Sequence, residues 1–540
     1  MIKFSRINYL RILKIHAMKS LLRVLIALFC CSFSLFAQPN APLNWYLKSP
    51  KKDGIYGTAA EEAYALLSGR KSVPVIVGVI DSGVETDHPD LKNIIWVNKD
   101  EIPNNGLDDD HNGYIDDVHG WSFLGGPSED IGDEASELKR LVFLERKYFS
   151  GKDTTRLAST DMERYGKYKK MKAVYEKELM DNQMSYQNIK LITDYIANVK
   201  QQSGGTFSKE ANKNYTPSNE REEKIKKRLG LILMAYSPEQ LDAELAGAKS
   251  SLEGQMKMAN VDADSLRSVL VGDDPMDLTN RYYGCNRYEG PDAMHGTHVS
   301  GIIGAERGNG LGIEGIAANV QIMVLRAVPN GDERDKDVAN AIRYAVDNGA
   351  KVINMSFGKY YVLHKAYVDE AIQYALDHDV LLIHAAGNES KNKDIEISFP
   401  TRKADNGKEY ANWIEVGASS CSKSPKKIIA EFSNYGATTV DFFAPGVDIY
   451  STVPDAKYED ASGTSMASPA TAGVAALIRS YFPNLTAVEV KDVLMNTTTP
   501  YKKKVVVPGT KKKAKLKELS ITGGFLNAAE AVKWLMNNPR

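Results

Sequence analysis

The chain has 540 residues, 43% of them hydrophobic and 25% charged, with 68 Lys and Arg against 69 Asp and Glu. That length exceeds what one growing core supports and implies two domains, or one large domain carrying an insertion. The near-neutral balance excludes an electrostatic case for nucleic acid or an anionic membrane as partner, and the basic runs Lys502–Lys504 and Lys511–Lys513 read as solvated loop charge.

At the start, Lys19 and Arg23 precede an apolar run from Val24 to Phe36, and Ala37 stands before Gln38 and Pro39. This is the pattern of a secretory signal over residues 1–37, with Met18 as an alternative start. The run is about half to two-thirds of the roughly 20 residues a spanning helix needs, so no stable membrane anchor is expected. Removing the signal takes Cys30 and Cys31 with it and leaves Cys285 and Cys421, which can form one disulfide but need form none. The expected location is the periplasm or the medium, and such low cysteine use points to a core-stabilised enzyme.

Short Val- and Ile-rich runs at Val75–Ile80, Gln321–Val324, Lys351–Met355, Val380–Ala385 and Trp413–Val416 predict buried strands. Helical periods at Asp337–Asn348 and Val368–Asp377 alternate with them. The fold class expected is α/β, a doubly wound and mostly parallel sheet with helices on both faces. Residues 38–132 and 281–540 carry this texture. Between them, residues 133–280 are rich in Lys, Glu, Met and Tyr, with helical patterns at Leu138–Tyr148 and Tyr165–Met180 and a flexible loop expected at Gln201–Glu220. This reads as a mainly α-helical insertion.

Asp108-Asp-Asp-His-Asn-Gly-Tyr-Ile-Asp-Asp117 places oxygen donors at the alternate spacing of calcium loops, with Gly113 at the sharp turn. Asp108, Asp110, Asn112, Tyr114, Asp116 and Asp117 are the candidate ligands. His119 stands where a bidentate Glu would close the shell, and the alternative is an acidic turn.

Three segments carry chemistry. Asp81 follows the Val75–Ile80 strand in Ile-Asp-Ser-Gly, His295 opens a helical segment in His-Gly-Thr-His-Val-Ser-Gly, and Ser465 lies in Gly-Thr-Ser-Met-Ala-Ser-Pro before the helical run Ala467–Ser480. Singly, each is a common strand-end, structural or capping residue. Together they supply a nucleophile, a base and an orienting carboxylate, and a serine at a helix N-terminus has orphan amides beside it for an oxyanion.

These motifs, in the order Asp, His, Ser, resemble those of the subtilisin-like serine proteases, the subtilases, over Val75 to about Leu107 and Tyr283 to Ala531. The resemblance implies a serine endopeptidase acting on polypeptides through an acyl-enzyme, with a triad of Asp81, His295 and Ser465. It implies that Asn388, in His-Ala-Ala-Gly-Asn, is the oxyanion donor and that His298 is not the base. Ser356, Phe357, Gly358, Ala385, Ala386, Gly387 and Ser398 would form the substrate strand and primary pocket. With no acidic residue among them, an apolar or neutral side chain before the cleaved bond is expected. The resemblance further implies a second calcium site from Asp90, Asn309 and the carbonyls of Leu311 and Ile313, for which a plain surface turn is the alternative. No cofactor for catalysis is expected, only structural Ca2+.

The sequence departs from the family in two ways. The stretch Gln38–Ile80 is too short for the usual folding pro-domain, and the connection from Asp81 to His295 is far longer than in a minimal subtilase. Loops that long carry structure or function. The insertion is expected to restrict substrates, to hold a protein partner, or to be a passive elaboration. The rival reading of the whole chain is a catalytically silent protein-binding scaffold.

Overall fold

The computed structural model describes residues 41–234 and 237–538, so the signal expected over residues 1–37 lies outside the described part. The described chain divides into two compact units, one of residues 138–262 and one of residues 41–137 with 263–538.

The larger unit is built on thirteen strands. They are β1 Val75–Asp81, β2 Gly120–Ser122, β3 Val320–Arg326, β4 Val352–Met355, β5 Leu381–Ala385, β6 Trp413–Ser419, β7 Phe442–Pro445, β8 Ile449–Val453, β9 Lys457–Ala461, β10 Thr499–Pro500, β11 Val505–Val506, β12 Lys513–Ala514 and β13 Gly524–Phe525. Nine form one sheet in the order β10-β13-β7-β6-β5-β4-β1-β3-β2, parallel except where β10 meets β13. Two small antiparallel ribbons, β8-β9 and β11-β12, complete the set. All five strands expected from the sequence are present.

Side chains alternate across the sheet, as the two-residue period of a strand requires. Val75, Val77 and Val79 of β1 enter a core shared with the helices Met294–Gly304 and Thr464–Tyr481, whereas Ile80 enters a second core with the helix Asp335–Asp347. Burial on both faces is why β1 reads as one unbroken apolar run. β3 and β4 flank β1 on opposite sides, so the strand order reverses there and opens a crevice at the carboxyl end of β1.

The smaller unit is helical. Its longest element, Ser159–Gln202, has 44 residues and packs on Pro238–Ala259, with Ile189, Ile192, Ile196 and Val199 facing Leu229, Leu241 and Leu245. Those positions follow the helical period. The loop expected at Gln201–Glu220 contains a helix, Lys209–Asn214, capped by Ser208, whose side chain accepts from the Ala211 amide. A capping box at Ser237 and Gln240 starts the Pro238–Ala259 helix.

The insertion expected over 133–280 differs from the smaller unit at both edges. Residues 133–137 and 263–280 belong to the sheet-bearing unit, and buried charges pair there. Arg334 bridges Glu134 and Asp264, Lys359 meets Glu137 at 2.9 Å, and fully buried Arg267 pairs with Asp273 and Asp337. Among the described residues no helix is long and apolar enough to cross a membrane.

Candidate active site

β1 delivers Asp81 to the crevice. Its backbone carbonyl accepts the amides of Ala327 and Val328, and its Oδ1 accepts from the Ser82 amide at 2.8 Å and from His295 Nδ1 at 2.7 Å. A carboxylate can only accept here, so the imidazole carries its proton on Nδ1 and leaves Nε2 as a base. Asp81 is 2% exposed while the His295 side chain is 37% exposed, so the carboxylate is closed off and one edge of the ring stays open. Gly296 permits the close approach, because a Cβ there would lie 2.1 Å from the Gly83 carbonyl oxygen. Burial pulls the His295 imidazole down, but the charge and hydrogen bond of Asp81, with Asp292 behind, more than offset this and hold it above its ordinary value. His298, one turn on, is buried and bound through Nε2 to the Ile449 and Glu459 carbonyls. Burial and the neighbouring His295 bring it down to about 4, which marks it as a structural tie to β8 and β9.

Ser465 is the second residue of the helix Thr464–Tyr481. Pro469 has no amide to give the Ser465 carbonyl, and Ser356 Oγ donates to that carbonyl instead, at 3.0 Å. In return Ser465 Oγ donates to the Ser356 carbonyl at 3.3 Å. Ser468 and Asn354 extend the chain of bonds, Ser468 Oγ donating to Asn354 Oδ1 and Asn354 Nδ2 to Ser356 Oγ. The start of the helix is thus pinned to the end of β4.

Asn388 lies just beyond β5. Its Oδ1 accepts from the amide and hydroxyl of Thr464 at 2.8 and 2.9 Å, which fixes the orientation of its Nδ2. Asn388 Nδ2 and the Ser465 amide both lie 3.5 Å from the point a Cβ on Gly463 would occupy, so two donors border the same space. Ser356, Phe357, Gly358, Ala385, Ala386, Gly387, Asn388, Ser398 and Ser465 line one cavity of about 190 Å³.

A model of the subtilase family matches residues 73–523. The chain belongs to the subtilase family.

Among its relatives, the Thermophilic serine proteinase of Bacillus sp. (strain AK1) is 40% identical over 225 residues, 42% of this chain and 48% of that protein. Subtilisin Savinase of Lederbergia lenta is 34% identical over 206 residues, 38% of this chain and 70% of its own. The Cell wall-associated protease of Bacillus subtilis (strain 168) is 35% identical over 235 residues, 43% of this chain and 24% of that protein. This subtilase therefore spans about half the length of the thermophilic proteinase.

In the acidic loop of this subtilase, Glu101, Asp110 and Asp117 each offer an oxygen, and the three lie within 4.8 Å of one another. The other expected ligands lie outside that close group and make hydrogen bonds within and beside the loop. The Asp108 carboxylate accepts the amides of Asn112 and Gly113, and the Asp116 carboxylate those of Asn105 and Gly106. The Tyr114 hydroxyl donates to the Arg281 carbonyl, and Asn112 Nδ2 bridges Asp110 and Asp117. Sequence reading missed Glu101 because it precedes the loop. At the second site Asn309 Nδ2 donates to Asp90 Oδ1 at 2.7 Å, the Ile313 amide lies 3.3 Å from Asp90 Oδ2, and the Leu311 amide donates to Asn309 Oδ1. Those four residues come together. Cys285 and Cys421 are free thiols.

Tyr360, His384, Glu389 and Thr464 also line the cavity and were not anticipated. Thr464 and Glu389 adjoin anticipated residues, while His384 was passed over as the first residue of a motif read for its asparagine.

Proposed function

We propose that this subtilase is an exported serine endopeptidase that cleaves polypeptides through an acyl-enzyme. The observation that carries the reading is the 2.7 Å bond from His295 to Asp81 at the sheet's switch point, in a chain whose Ser465 and Asn388 line a single cavity. Ser465 Oγ, released from the Ser356 carbonyl by rotation about its side-chain bond, attacks the scissile carbonyl as His295 Nε2 takes its proton. Asp81 holds Nδ1–H and balances the imidazolium. Asn388 Nδ2 and the Ser465 amide, the latter an orphan donor of the first helical turn, receive the oxyanion. His295 then protonates the leaving amine, and water repeats the cycle to free the acid. Incubation with unfolded casein tests the reading. The expected result is new peptide ends that vanish in Ser465→Ala; intact casein would favour a protein-binding scaffold.

Calcium is proposed as a structural ion at Glu101, Asp110 and Asp117. The donors are hard oxygens, as calcium prefers, and Glu101 and Asp117 are buried. Burial, with Asp110 adjacent and against hydrogen bonds from Tyr344, Asn112 and Asn98, pushes Asp117 up to about 6. Asp90 with Asn309, Leu311 and Ile313 is proposed as a weaker second site. The helical unit is proposed to select substrates or hold a protein partner, since it has its own core and the cavity is lined wholly by the other unit.

A further inference from the structure

The floor of the cavity is polar in a way the chemistry at Ser465 does not use. His384 is 1% exposed and lines the cavity, yet its Nε2 is buried without a hydrogen-bond partner. Its Nδ1 lies 3.1 Å from both oxygens of Glu415, which stands directly opposite it across β5 and β6. Trp413 Nε1 donates to Glu415 at 2.8 Å, and Lys393 Nζ pairs with the same carboxylate. Burial would raise the Glu415 carboxyl, but Lys393 and His384 overcome it and draw it down to about 2, so Glu415 stays ionised and anchors the imidazole. Glu415 thus holds one ring nitrogen, and the other, in a residue that lines the cavity, has no partner. Gly358 lines the cavity beside that nitrogen, and a Cβ there would make ordinary van der Waals contact with it at 3.7 Å.

Ser398 adds a second group. Lys393 Nζ donates to Ser398 Oγ at 2.7 Å, which uses the hydroxyl oxygen as acceptor and leaves its proton to donate elsewhere. Ser398 is buried and lines the cavity. A buried polar atom with no partner costs on the order of 1–3 kcal/mol, so a pocket with His384 Nε2 unpartnered and the Ser398 hydroxyl beside it disfavours an aliphatic occupant.

We infer that His384 and Ser398 make this a pocket for a substrate side chain ending in a carboxamide or carboxylate, Gln or Glu, at the residue before the scissile bond. The inference rests on the serine-endopeptidase reading. Ser398 Oγ–H donates to the oxygen of the planar group, and His384 Nε2 engages its other atom, accepting from a carboxamide NH2 when neutral or donating to a carboxylate when protonated. Glu389 at the lining sets the balance between the two. Its Oε2 accepts from Tyr360 and Asn434, both at 2.7 Å, and its charge opposes a second carboxylate. A carboxamide keeps within the apolar or neutral side chain expected from the sequence and a carboxylate goes beyond it; Lys393 and Glu415, which hold Ser398 and His384, lie outside the motifs.

The test uses the full-length protein and tetrapeptide p-nitroanilides identical except for Gln, Glu, Leu or Phe before the cleaved bond, with fluorophosphonate labelling run in parallel. The expected result is kcat/KM for Gln and Glu above Leu and Phe by about 10- to 100-fold. Ser398→Ala and His384→Ala should each shrink that margin about tenfold or more while labelling persists, and Glu389→Gln should raise the Glu-to-Gln ratio. Should His384→Ala fail to fold, Ser398→Ala alone decides. Labelled enzyme that prefers Leu or Phe, or cuts neither Gln nor Glu peptides, overturns the pocket assignment and leaves the nucleophile intact. Absence of both labelling and turnover overturns the endopeptidase reading and the pocket with it.

Discussion

His295 is subject to opposing influences, burial lowering its proton affinity and Asp81 raising it, and the carboxylate prevails. A general base works only when unprotonated, so kcat/KM should climb as pH rises through that elevated pKa. The acid limb of the profile should therefore centre above the ordinary imidazole value of about 6.5. Asp81→Asn removes the charge while keeping the shape. It should shift the limb downward and cut kcat by about 10⁴, because the amide no longer fixes the imidazole with its proton on Nδ1; a limb that stays in place would show Asp81 does not set the base. In the proposed mechanism Asn388 acts on the transition state rather than on bound substrate. Asn388→Ala should lower kcat by roughly 10² to 10³ with little change in KM, the size found for an oxyanion donor in a subtilisin, and a loss confined to KM would contradict the assignment. At this scale the candidate triad was readable because its residues sit inside short motifs. The pocket floor was not, since His384, Lys393 and Glu415 come from two strands and a loop that only β5–β6 pairing and packing bring together.

The elements were legible to different degrees for physical reasons. Strands buried on both faces announce themselves as continuous Val and Ile runs, and β1, β3, β4, β5 and β6 fall where those runs lie. Ser159–Gln202 was visible only in part, since much of its surface is solvated and its apolar positions are sparse. Lys209–Asn214 was hidden by neighbouring Gly, Ser and Asn, which suit caps as well as loops. The acidic loop was legible as a donor set, whereas Glu101, whose oxygen lies close to those of Asp110 and Asp117, precedes the motif and was not. Calcium should raise the melting temperature in a concentration-dependent way, with a gain of about 2.7 kcal/mol at a hundred times Kd. Asp110→Asn should blunt that response in calorimetry, and an unchanged calcium dependence would remove the site. Buried Arg267 holds Asp273 and Asp337 at 2.9 and 2.6 Å. Arg267→Met leaves two buried carboxylates short of a partner and should cost about 3–5 kcal/mol in urea unfolding.

For the molecule as a whole, two units with separate hydrophobic cores share one chain, and every residue lining the cavity belongs to the sheet-bearing unit. Arg334 pairs with both Glu134 and Asp264, so the two ends of the inserted segment are fastened at one point. Replacing residues 138–262 by a short Gly-Ser linker should accordingly preserve the nucleophile while widening the range of proteins cleaved, as read by peptide sequencing of digests; an unchanged range would make the helical unit a passive elaboration. The expected insertion was drawn from composition, whereas the ion pairs Lys359–Glu137 and Arg334–Asp264 beside the edges at 138 and 262 show in no local pattern. The central claim is that Ser465 is a nucleophile activated by His295 and Asp81, and intact-mass spectrometry after fluorophosphonate treatment tests it most directly. A single adduct mapped to Ser465, lost in Ser465→Ala and strongly slowed in His295→Ala, is the predicted result; folded protein that takes no adduct, or takes it at another serine, would contradict it.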